Sequence, residues 1–328
     1  MKTKKSFFGL MARGLAMGAA DVVPGVSGGT IAFITGIYAE LIDTIGGVNI
    51  DLFKTLKKEG FKAFWSQLNG DFIVALFLGI GISIASLAKL ISYLLENHPI
   101  LVWSFFFGLV LASIYLVGKQ VGKWTISTIT AFIVGTGIAY LITILPPIQE
   151  ADASWYLFLS GALAICAMIL PGISGAFILL LLGSYQTILN AIKEVDLMKI
   201  AIFGIGCIVG LLSFSKLLKW LFKKYERITI AVLAGFLLGS LNKIWPWRHI
   251  EKIFVKHIAE PNEEVLTLVD SPVWPSNYDK IIRIGNQITG YEKTDSNLLI
   301  CLFLMVIGFL LIFTMDKFGN KTKKTSRV

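Results

Sequence analysis

The stretch Asp21-Val22-Val23-Pro24-Gly25-Val26-Ser27-Gly28-Gly29-Thr30 returns 147 positions later as Met168-Ile169-Leu170-Pro171-Gly172-Ile173-Ser174-Gly175. The surrounding segments, Gly14 to Ile45 and Gly161 to Ile192, also agree at Gly14, Ala20, Ile31, Gly36, Tyr38 and Ile45. Both are apolar and both are interrupted by Pro and Gly. A doubled apolar segment broken in this way points to a binding site between the repeats of a membrane transporter.

Composition agrees with a membrane location. Hydrophobic residues make up 55% of the 328 and charged residues only 16%, against about 25% in a soluble domain. The formal net charge of +9 therefore has a topological meaning, and nucleic acid is not an expected partner. Cys166, Cys207 and Cys301 lie in apolar runs as buried small residues. The histidines His98, His249 and His257 have no metal-binding spacing, so neither a metal site nor a His-based catalytic centre is expected.

Six runs are long enough to span a bilayer: 72–95, 100–118, 124–145, 199–215, 228–245 and 297–315. The broken segments are too short on each side of the break. Helix over Gly14–Val23 reaches about 15 Å and over Thr30–Ile42 about 20 Å, against a core of about 30 Å. Re-entrant hairpins at 9–45 and 155–192 are expected, with full crossing as the alternative.

Basic residues orient the chain. Lys2, Lys4, Lys5 and Arg13, then Lys54, Lys57, Lys58 and Lys62, then Lys119 and Lys123, then Lys216 to Arg227, and finally Lys317 to Arg327 fall on one side. That side is expected to be the cytoplasm, with both termini inside and 316–328 as a basic tail. Gly79–Ser113 also matches Gly206–Ser240 at a shift of 127. Each repeat is then a hairpin plus three spans, repeat one at 1–145 and repeat two at 155–315. An odd number of crossings inverts one repeat relative to the other. The expected fold is an all-α polytopic membrane protein of two inverted-topology repeats. Segment 46–71 reads as an amphipathic surface helix or a linker, and 246–296 as a small ordered cap on the outside.

The breaks carry the candidate chemistry. Pro24 and Pro171 end the first half-helices, and Gly25 and Gly172 allow the turn. Ser27 and Ser174 are placed to cap the second half-helices. That leaves backbone donors at Gly28, Gly29 and Thr30, and at Gly175 and Ala176, for an anion; tight helix packing through small residues is the other reading. Asp21 is an acid at membrane depth, a candidate for coupling to protons or sodium ions, or a carboxylate bonded to its own turn. Arg13, Lys89 and Lys216 are candidate phosphate contacts or interfacial anchors.

These motifs, followed by Gly36-Ile37-Tyr38 and Gly183-Ser184-Tyr185, resemble the signature of the bacterial PopT-like undecaprenyl phosphate translocases. The resemblance covers about 9–245 and leaves 246–296 unmatched. It implies a non-enzymatic flippase of the bacterial cytoplasmic membrane that returns the C55 isoprenoid phosphate from the outer to the inner leaflet for cell-envelope synthesis. Undecaprenyl phosphate and membrane lipids would be its partners, and it would need no cofactor. On the residues alone, a transporter or channel for a small soluble anion is the alternative.

Overall fold

A computed structural model describes residues 6–21, 27–145, 153–256 and 264–325. Pro24 and Gly25, and the side chain of Lys89, lie outside the described residues. The chain is mostly helical. It runs α1 (Phe7–Asp21), α2 (Gly28–Ile34), α3 (Tyr38–Gly46), α4 (Ile50–Leu68), α5 (Gly70–Asn97), α6 (Pro99–Gln120), α7 (Ile126–Ile144), α8 (Ser154–Ile169), α9 (Gly175–Leu181), α10 (Tyr185–Lys193) and α11 (Leu197–Ser240). Strands β1 (Arg248–Lys256), β2 (Glu264–Pro272), β3 (Asp279–Ile284) and β4 (Gln287–Lys293) precede α12 (Leu298–Thr325). Helices α5, α6, α7 and α11 are long and apolar enough to cross a membrane, which makes this a multi-pass membrane protein.

The expected span 199–215 and most of 228–245 fall in one element, α11, of 44 residues. An unbroken helix of that length would measure about 66 Å, twice the hydrocarbon thickness. Tyr225 interrupts it at φ −134°, ψ 43°. His98, its counterpart at the 127-residue shift, separates α5 from α6 at φ −136°, ψ 48°. One residue type at the junction differs, yet the backbone solution is the same.

Close helix pairs follow the repeat. A Cβ added at Gly14 would overlap the Leu76 carbonyl, and one at Gly79 the Met11 carbonyl; α1 and α5 touch there backbone to backbone. At the corresponding positions Gly161 meets the Phe203 carbonyl and Gly206 the Phe158 carbonyl, joining α8 to α11. Small residues let helix backbones approach this closely. The remaining long helices pair across the halves. Gly108 on α6 meets Met305 of α12, and Gly308 meets Phe105. Gly235 on α11 meets Phe132 of α7, and Gly135 meets Val232. The last helix of each half thus packs on the middle helix of the other.

The return arm of each broken segment, expected as one half-helix, is two short helices. Gly36 (φ +68°) separates α2 from α3, and Gly183 (φ +65°) separates α9 from α10. In both, the residue after the glycine bonds back five positions, Ile37 N to Ala32 O and Ser184 N to Leu179 O. A left-handed glycine closing a helix in this way is a Schellman end, so the bend is encoded twice.

Segment 46–71 is mainly helical. Asn49 caps α4 by accepting from Leu52 N, and Gly60 (φ +83°) kinks it. Phe53 and Phe61 stand exposed on it. Segment 246–296, read from the sequence as a small cap, contains strands: β1 pairs antiparallel with β2, and β3 with β4. The fold is therefore helical with a β cap. Trp247, 2% exposed, packs with Ile100 and Cys301 and fastens the cap to the helices.

Candidate functional site at the two breaks

The two breaks, 147 residues apart in sequence, meet in space. Ser27 Oγ donates to the Met168 carbonyl at 3.0 Å, and Gly172 N donates to Thr30 Oγ1 at 2.9 Å. Ser27 and Thr30 are buried, at 1% and 0% exposure. A Cβ on Gly29 would stand 2.6 Å from the Ile169 carbonyl, so only glycine allows this approach. Gly172 has φ +88°, a left-handed backbone that also requires glycine.

The breaks share their motif but differ in how it is used. At the first, Gly28 N donates to Asp21 Oδ1 at 2.6 Å and Gly29 N to Ser27 Oγ at 3.1 Å. Thr30 N donates to the Ser27 carbonyl at 2.9 Å. The three donors that the sequence leaves open for an anion are thus engaged in this conformation, one of them by a carboxylate. The alternative reading of Asp21, a carboxylate bonded to its own turn, describes this geometry. At the second break Met168 stands where Asp21 would be and packs against Gly175. No side chain caps α9, so Ser174 does not do what Ser27 does.

Other candidates lie elsewhere. Arg13 Nη1 donates to Gly9 O of its own helix at 3.0 Å. Lys216 is exposed on α11, close to where Ser215 O approaches Gly46. Among the described residues, no hydrogen bond or ion pair links either to the breaks.

Two clefts are found, and the second of them is lined by break residues. One is lined by Asp43, Phe222, Lys219 and Lys223, with Lys219 Nζ 3.3 Å from Asp43 Oδ1. The other lies at the second break and is lined by Thr143, Gly172, Ser174, Phe177 and Lys243. Sequence reasoning passed over Lys243. Its signal was a lysine directly after an apolar run on the side where lysines are scarce, discounted because a long loop follows. Among the described residues no group of His, Cys, Asp and Glu could hold a metal.

Tyr38 packs on Phe33 and Phe222 with its hydroxyl buried and, among the described residues, without a hydrogen-bond partner. An unsatisfied buried hydroxyl costs about 1–3 kcal/mol. Tyr38→Phe is therefore expected to raise the thermal unfolding midpoint of the detergent-solubilised protein. A lowered midpoint would mean that the hydroxyl has a hydrogen-bond partner in the solubilised protein.

Residues 17–261 match the VCA0040-like family, described as undecaprenyl phosphate translocase-like. The chain belongs to this family. It is 43% identical over 309 residues to a polyprenyl-phosphate transporter of Vibrio cholerae serotype O1, covering 94% of this chain and 96% of the relative. It is 34% identical over 252 residues to a polyprenyl-phosphate transporter of Staphylococcus aureus, covering 71% and 84%. No solved structure matches. The Vibrio alignment is too long to leave the whole cap outside it, so at least part of 246–296 has a counterpart in that relative. Both relatives are named as transporters, and transport of a polyprenyl phosphate is the activity their names support here.

Proposed function

We propose that this protein flips undecaprenyl phosphate from the outer to the inner leaflet of the bacterial cytoplasmic membrane, with both termini in the cytoplasm. The meeting of the two breaks, through Ser27 with Met168 and Gly172 with Thr30, is the observation that carries this reading. Moving the lipid's tail needs no help, because it stays in hydrocarbon. Moving its phosphate does, since a charge at mid-bilayer costs several kcal/mol or more. Polar backbone and hydroxyl groups at Ser27, Gly28, Gly29, Thr30, Ser174 and Gly175, gathered where two hairpins meet, are suited to hold it there. The repeat-related glycine contacts support two halves of inverted topology that rock about this point and expose the phosphate to each leaflet in turn.

Asp21 then competes with the phosphate for Gly28 N–H. Two anions side by side in a poorly screened site repel strongly, so the displaced carboxylate must be neutralised. A proton or a sodium ion taken up by Asp21 would couple transport to an ion gradient.

Undecaprenyl phosphate exposed on the cell surface is the measurement that tests this. Cells lacking the protein are expected to accumulate it outside, wild type to restore it, and Ser27→Leu or Ser174→Leu to fail while the protein still reaches the membrane. Asp21→Asn is expected to make the residual transport insensitive to collapse of the ion gradients. An unchanged outer pool on loss of the protein, together with loss of uptake of a soluble anion, would replace this reading with a soluble-anion transporter.

A further inference from the structure

The cap contributes a charged cluster that the passage of phosphate between the breaks does not itself require. Lys243 follows α11 and turns back over the second break, its Nζ 4.8 Å from the centre of the Phe177 ring. It lines the same cleft as Thr143, Gly172 and Ser174. Asp270 of β2 receives Lys243 Nζ at 2.9 Å and lies 2.8 Å from Arg248 Nε of β1. Arg248 Nη2 also donates to Asp270 Oδ1 at 3.0 Å. The three side chains are only 10–17% exposed.

One carboxylate between two cations leaves this buried cluster with a net charge of +1. Burying ions is costly, and a pair of this kind is weak evidence for stability. Fastening the cap does not need it, because Trp247 already anchors the cap through Ile100 and Cys301. Burial alone would push the Asp270 carboxyl up, yet Lys243 and Arg248 hold it below the ordinary carboxylate value. Asp270 is therefore an anion held by its neighbours' charge. Arg248 Nε is close to Asp270 Oδ2 but makes no aligned hydrogen bond. Nε is thus a buried donor without a hydrogen-bond partner among the described residues, while Nη1 donates to Asn242 O and Nη2 also to Asp270 O at 3.1 Å. A planar guanidinium beside an ammonium is the side-chain pair suited to phosphate oxygens.

We propose that Lys243 and Arg248 form a docking site for a phosphate monoester at the mouth of the cleft by the second break, with Asp270 as the resident counter-ion that the phosphate displaces. Because Asp270 belongs to the cap and Lys243 to the helix bundle, the exchange breaks one bridge between them. Loading the dock thereby loosens the cap over the cleft. The identity of the phosphate as a lipid headgroup, rather than free phosphate, rests on the transport reading above.

Calorimetric titration of the full-length protein in detergent tests this, using a water-soluble ten-carbon isoprenyl phosphate in one arm and inorganic phosphate in the other. Lys243→Gln is expected to weaken isoprenyl phosphate binding about tenfold, the effect of one charge-assisted contact. Lys243→Arg is expected to restore most of it, and Asp270→Asn to tighten it by removing the competitor. Binding of both ligands that is unchanged in Lys243→Gln overturns the dock while leaving the transport reading standing. Weaker binding in Asp270→Asn overturns it as well, since a purely structural clamp behaves that way. Lys243-dependence seen only with inorganic phosphate overturns the lipid assignment. Wild-type protein that binds no isoprenyl phosphate at all sinks the transport reading itself. Should Asp270→Asn fail to fold, the two Lys243 variants decide alone.

Discussion

Gly206→Val is expected to strip the protein of most of its folded population, while Gly204→Val, two residues away on the same helix, is expected to be silent. A Cβ at Gly206 would overlap the Phe158 carbonyl, a backbone atom that cannot turn aside. A Cβ at Gly204 meets nothing within 4 Å. Helix association in lipid has little hydrophobic drive and depends on close packing instead. Prying α8 from α11 thus removes what holds them together. Overpacking a well-filled core costs about 1–3 kcal/mol and sometimes more; backbone against backbone belongs at the upper end. Gly79→Val should do the same through the Met11 carbonyl, with Gly81→Val as its silent neighbour. Thermal unfolding in detergent, monitored by loss of the monodisperse species, separates the outcomes. Equal midpoints for Gly206→Val and Gly204→Val would refute the packing account.

The second large effect is expected at Gly172. Alanine there must adopt φ +88°, which costs an L-residue about 1–2 kcal/mol. Its Cβ would also stand 2.9 Å from Ser240 Oγ and 3.1 Å from the Phe236 carbonyl. Relief of either moves the peptide that donates to Thr30. Transport is therefore expected to fall far more than stability. Gly122→Ala supplies the control, since Gly122 has φ +76° with open space around it and bears the backbone strain alone. Thr30→Val removes the acceptor of the same bond without backbone strain, and it should reproduce the transport loss. If Gly172→Ala and Gly122→Ala restored surface undecaprenyl phosphate equally well, contact between the breaks would not matter for transport.

Much of this was legible in the residues because repeats preserve local rules. The Pro-Gly breaks, the turn glycines Gly36 and Gly183, and the close-packing pairs Gly14 and Gly161, Gly79 and Gly206, and Gly108 and Gly235 recur at fixed shifts. The basic stretch from Lys216 to Arg227 separates the two apolar runs of α11, and the backbone break at Tyr225 falls within it. Less was legible about the site. Ser27 and Ser174 occupy equivalent positions, yet only Ser27 caps a helix, and its hydroxyl reaches Met168 of the other half. A capping role follows from local spacing; whether the hydroxyl is drawn elsewhere depends on a chain segment 141 residues away. The Lys243–Asp270–Arg248 cluster was hidden for the same reason, as its members come from a helix end and two strands of a cap with no repeat to betray them.

By itself, the sequence determined that the chain lives in a membrane, that it is built twice, and where each copy breaks. Those properties come from hydropathy, from glycine and proline backbone limits, and from self-similarity, all of which act over short stretches. Only the tertiary structure decided what the breaks do to each other. It joins Ser27 to Met168 and Gly172 to Thr30, turns Asp21 onto Gly28, and packs α7 on α11 and α12 on α6 across the halves. Such pairings depend on which backbone surfaces can approach most closely, and that choice is made between segments far apart in the chain.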